Sequence, residues 1–77
     1  MKTARELFEE LGYELNTYSD CLDYCKVEKG KHIAWTKDIC FYPYNKSYSI
    51  ICTADRVDID MQTNKAIHRQ LEELGWL

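Results

Sequence analysis

Seventy-seven residues, 9.2 kDa and a formal charge of −3 confine the chain to one domain, residues 1–77, because a second domain would need at least about 50 residues of its own. Size scaling leaves about 4,900 Å² of surface from about 13,300 Å² unfolded, roughly 63% buried, too little interior for a large enclosed active-site cavity. An apolar content of 45% with six tyrosines excludes a disordered chain, and the lack of any 18-residue apolar run or apolar leader reads as a soluble, cytosolic protein without a membrane partner.

The N-terminal segment has both helix ends written in. Thr3-Ala4-Arg5-Glu6 is a capping box, in which the Thr hydroxyl accepts from the Glu6 N–H and the Glu6 carboxylate reaches back. Ala4, Leu7, Phe8 and Leu11 then form one apolar stripe. Gly12 supplies a left-handed C-cap, over which Tyr13 can fold its ring.

The period then changes to two. Tyr13, Leu15 and Thr17 alternate with Glu14 and Asn16, and Leu22, Tyr24 and Lys26 alternate with Asp23 and Cys25. Lys29-Gly30 reads as a positive-φ turn with a bulge, joining strands 22–28 and 31–36. Lys37-Asp38 reads as a second turn before Ile39–Tyr42, which Pro43 ends or places on an edge. Asn45-Lys46 is a third turn, before a strand over 48–53. Asp60 is the N-cap of a last helix with the stripe Ile67, Leu71, Leu74, closed by Gly75-Trp76. The likeness of Phe8–Tyr13 to Leu71–Trp76 is one capping solution used twice, too short for a duplicated unit.

The expected fold is α+β: an antiparallel sheet of four or five short strands, with the N- and C-terminal helices packed on one face. Parity assigns Ile33, Trp35, Ile39 and Phe41 to the covered face. Cys40, Tyr42 and Tyr44 then point the other way, with Tyr24 and Tyr48 as further members of a tyrosine-lined open face.

Chemical motifs are scarce. The spacing Cys21-x3-Cys25-x14-Cys40-x11-Cys52 lacks a Cys-x2-Cys turn, and i, i+4 on a strand spans about 13 Å. The four cysteines therefore read as small buried hydrophobes, with no metal and no disulfide. His32 and His68 have no local partner that marks a Cys–His nucleophile pair. Asp55, Asp58 and Asp60 lack the Gly and terminal Glu of a calcium loop and read as helix-start acids. No phosphate loop or catalytic signature is present, so no enzyme and no cofactor is expected.

Two surfaces remain. Residues 41–48 hold four aromatics, and tyrosine gives large contact area with few rotors, so Tyr42, Tyr44 and Tyr48, with Tyr24, are the candidate contacts for a protein partner or self-association. Alternatively Lys26, Lys29, Lys31 and Lys37, set against Glu28 and interleaved with Trp35, make a basic hairpin suited to nucleic acid. The acidic net charge weighs against the second.

The opening Thr3–Tyr13 and the closing Lys65–Leu77, with Leu-Phe-Glu-Glu-Leu-Gly-Tyr and Leu-Glu-Glu-Leu-Gly-Trp-Leu at the helix ends, resemble small uncharacterised proteins of phages and prophages in low-GC Gram-positive bacteria. That resemblance covers the two ends of the chain and a middle of short strands, and the four cysteines depart from it. It implies a phage-type setting, in which small acidic proteins act by binding host machinery, anti-CRISPR inhibitors among them.

Overall fold

The computed structural model describes residues 1–53 and 57–77; of the acids before the last helix, Asp55 lies outside them. Helix α1 spans Ala4–Glu10, strands β1 to β4 span Glu14–Thr17, Leu22–Lys29, Ala34–Tyr42 and Ser47–Cys52, and helix α2 spans Met61–Glu73. The strands form one antiparallel meander in the order β1-β2-β3-β4. The α+β architecture and both terminal helices match the sequence reading.

Local chemistry sets the helix ends. Thr3 Oγ1 accepts from the Glu6 N–H at 3.1 Å, and the Thr3 N–H donates to the Glu6 carboxylate at 2.9 Å. Gly12 takes φ +94°, after which the Tyr13 N–H reaches the Phe8 carbonyl and the two rings meet edge to face at 5.4 Å. In α2, Asp60 accepts from the Thr63 N–H at 2.8 Å, Gly75 takes φ +76°, and the Trp76 N–H returns to the Leu71 carbonyl. The helices are tied end to end as well as side to side: the Ala4 N–H donates to Glu73 at 2.8 Å, and Arg69 donates to the Lys2 carbonyl at 3.3 Å.

Register decides the faces, since directly opposed residues share one. Tyr24 opposes Leu15 and Ile39, and Phe41 opposes Leu22 and Tyr48. These residues lie on the helix side of the sheet, where Phe8, Tyr13, Tyr24, Ile39, Phe41, Ala66 and Ile67 form the buried core, flanked by Leu15, Leu22, Ile50 and Trp76.

Four expectations are corrected. Lys37-Asp38 is not a turn: both residues lie inside the nine-residue β3, Lys37 opposite Lys26 and Asp38 opposite Cys25. Their low strand propensity is overridden by pairing on both sides. Gly30 is not a positive-φ residue, and the β2–β3 register runs without a bulge; glycine is needed there for space, because a Cβ would stand 2.8 Å from Cζ3 of Trp35. Ile33 precedes β3 and is 70% exposed, so it is not under the helices. Tyr24 and Tyr48 belong to the helix side, not to the open face.

Candidate functional site

Tyr24 is wholly core. Its ring stacks on Phe8 with centroids 3.9 Å apart, and its hydroxyl donates to the buried Gln70 Oε1 at 2.5 Å. Burial foremost, then the Glu73 carboxylate, pushes the Tyr24 phenol up to about 12. Tyr48 stacks on Phe41 at 5.5 Å and keeps one edge exposed beside the β3–β4 turn. The tyrosine-paved open face expected from parity is therefore not formed: only Tyr42 remains on it, half-buried, its hydroxyl 3.3 Å from Ser49 Oγ.

The tyrosines converge instead on one end of the sheet. Pro43 ends β3, and the four-residue turn to β4 is completed by Lys46 at φ +55° with Ser47 Oγ donating to Asn45 at 2.6 Å. Tyr44 rides on this turn, 77% exposed and edge to face with Tyr42 at 6.3 Å. Across the sheet end lies the β1–β2 turn, closed by the Tyr18 N–H to the Cys21 carbonyl at 2.9 Å. Together the two turns wall a groove of about 470 Å³ lined by Tyr18, Ser19, Asp20, Cys21, Leu22, Pro43 and Tyr44. Tyr18, 55% exposed, was missed in the sequence, where a single aromatic next to Ser-Asp carries no signal until a distant turn faces it. Burial, then Asp20, pushes the Cys21 thiol up, so it stands in the groove as a neutral, poorly nucleophilic group. Two aromatic walls, a proline and one carboxylate can grip apolar and cationic side chains; they include no acid–base pair or activated nucleophile.

The basic hairpin does not come together as one surface. Lys26 and Lys37 lie on the helix-side row, Lys26 3.5 Å from Glu28 and over the Tyr13 ring, and Lys37 donating to the Asp58 carbonyl at 3.1 Å. Lys29 projects from the opposite face and Lys31 from the turn. Trp35 lines a second hollow of about 440 Å³ with Glu28, Lys37, Asp58 and Asp60 among its walls, where acids outnumber bases.

The open face carries a different arrangement. Asp23 opposes Cys40, and Cys25 opposes Asp38, so thiols and carboxylates alternate in a two-by-two block. Cys40 donates to Asp23 at 3.4 Å, while Asp38 Oδ1 is enclosed with no hydrogen-bond partner among the described residues. Contact with the Asp38 carboxylate, then burial, pushes the Cys25 thiol up to about 11, and burial followed by Asp23 does the same for Cys40. All four cysteines are free thiols, and among the described residues no three His, Cys, Asp or Glu side chains gather as a metal site. Among the described residues no helix is long and apolar enough to cross a membrane. No protein family, no curated protein and no solved structure matches the chain.

Proposed function

We propose that this is a non-enzymatic accessory protein of phage type that works by binding another protein, masking a surface of a host system in the manner of an anti-CRISPR inhibitor. The observation that carries the reading is the groove between the two turns at one sheet end, with Tyr18 and Tyr44 standing out of it at 55% and 77% exposure. Exposed tyrosines set on tight turns lose little entropy on contact, and they are over-represented among residues that dominate binding energy. Asp20 in the groove and the lysine-free stretch 6–23 favour a partner that presents cationic as well as apolar side chains. The dispersal of Lys26, Lys29, Lys31 and Lys37 over two faces and a turn gives the nucleic-acid alternative no comparable support.

The test is capture of partners from a Gram-positive lysate, before and after nuclease treatment, by the tagged chain and by its Tyr18→Ala/Tyr44→Ala variant. A stoichiometric protein retained by the parent and lost at least about thirtyfold in the variant is expected, the size of a hot-spot effect. The variant should unfold within a few degrees of the parent, since neither ring is in the core. Equal capture by both forms, or recovery of nucleic acid alone before nuclease treatment, would overturn the reading.

A further inference from the structure

The two edges of the sheet are guarded very differently. β1 is short, carries Glu14, and is bound to α1 through Tyr13. β4, Ser47–Cys52, reads Ser-Tyr-Ser-Ile-Ile-Cys: six residues without a charge or a proline, the two devices that normally protect an edge.

The ladder fixes which of its backbone groups face outward. The Thr53 N–H donates to the Thr36 carbonyl at 3.1 Å, which places Thr53 among the residues hydrogen-bonded to β3. Antiparallel pairing alternates, so Ile51, Ser49 and Ser47 also bond inward, opposite Asp38, Cys40 and Tyr42. Tyr48, Ile50 and Cys52 then direct both N–H and C=O away from the sheet, and none of these three N–H groups has a hydrogen-bond partner among the described residues. Apolar surface flanks this edge on both sides: Tyr48 is 44% exposed on the helix side, and Ile51 53% on the open side.

We infer that the β4 edge is a self-association surface, on which a second copy of this chain adds its own β4 antiparallel to form a continuous eight-stranded sheet. Parity restricts the register. A two-fold axis perpendicular to the sheet keeps the helices of both copies on one side, so even residues must face even residues. Among such registers, the one centred on Ile50 opposes Ile50 to its own counterpart and Tyr48 to Cys52 twice. It is the register that satisfies the outward groups of all three residues in both copies. It also places Ser49 opposite Ile51, with no charged residue of β4 facing another. Charges and prolines on an edge strand serve to block pairing between copies of the same chain, so their absence from β4 points to a second copy as the added strand. The added contact joins Ile50 and Tyr48 of both copies into an extension of the core.

Sedimentation equilibrium over micromolar to millimolar chain, with amide exchange read residue by residue, tests this. The expected mass rises to twice 9.2 kDa, and the Tyr48, Ile50 and Cys52 amides slow by at least about tenfold in the associated form. Ile51→Lys, on an exposed side chain at the edge, should return the chain to monomer with its unfolding midpoint kept. Val27→Lys, equally exposed on the open face but within β2, should still dimerise. A monomer throughout the range would overturn the proposal. So would a dimer that survives Ile51→Lys, or one broken by Val27→Lys instead, which would move the interface to the open face.

Discussion

Tyr24 shows what a single residue can be asked to do in so small a core. Its ring fills the space between Phe8 and Phe41, and its hydroxyl is the donor that satisfies Gln70 beneath α2. Removing only the hydroxyl, in Tyr24→Phe, strands the Gln70 oxygen away from water and should cost about 1–3 kcal/mol in urea unfolding. Partner capture by that variant should be unchanged, because the edited atom is internal. A variant as stable as the parent would mean that water reaches Gln70. Sequence periodicity places Tyr24 correctly beside Leu22 and Lys26 but is silent on which face that row takes. The face is decided by Ile39, fifteen residues away, and by Leu15. The same gap explains Tyr48, whose position follows from Phe41 opposite it, and Tyr18, which matters only because Tyr44 faces the same groove.

At the level of elements, legibility tracks the range of the interactions. The helices were readable end to end because a capping box, an N-cap carboxylate and a positive-φ glycine are settled within a few residues. The strand break placed at Lys37-Asp38 failed because those residues are held by β2 and β4, and Lys37 by the Asp58 carbonyl, none of them near in sequence. The β2–β3 connection was located but for the wrong reason. Trp35 lies across Gly30, so Gly30→Ala drives a Cβ into the indole and the Ile33 carbonyl, 2.8 and 3.2 Å away. An overpacking loss of about 1–3 kcal/mol is expected, with a red-shifted Trp35 emission, isolated by recording the same change in a Trp76→Phe background. An unshifted spectrum and midpoint would show that the ring moves aside at no cost.

For the molecule as a whole, pH sets two groups of carboxylates against each other. Glu6 and Asp60 hold cap hydrogen bonds that lower them below their ordinary values of 4.5 and 3.8. Their stabilisation is present above those values and is lost as pH falls through the lowered ones. Asp23 has the opposite sign: burial, reinforced by Asp38, raises it, so its ionised form works against folding at neutral pH and is relieved as the acid titrates. Asp23→Asn should therefore unfold at higher urea than the parent at pH 7, with the advantage shrinking as the pH is lowered through the raised value. Asp60→Ala should lose stability at pH 7, and its deficit against the parent should shrink as the pH falls through the lowered Asp60 value. Parallel curves for all three proteins would refute this division.

The tie between the Ala4 amide and Glu73 has a consequence for how the chain comes to be folded. The first helix is made early and the residue that anchors its start is made sixty-nine positions later. During synthesis the seven-residue α1 is too short to hold itself together in water, and the sheet alone leaves its apolar face uncovered. The strands, β4 among them, are thus made before the helix whose Ala66 and Ile67 complete the core over their apolar face.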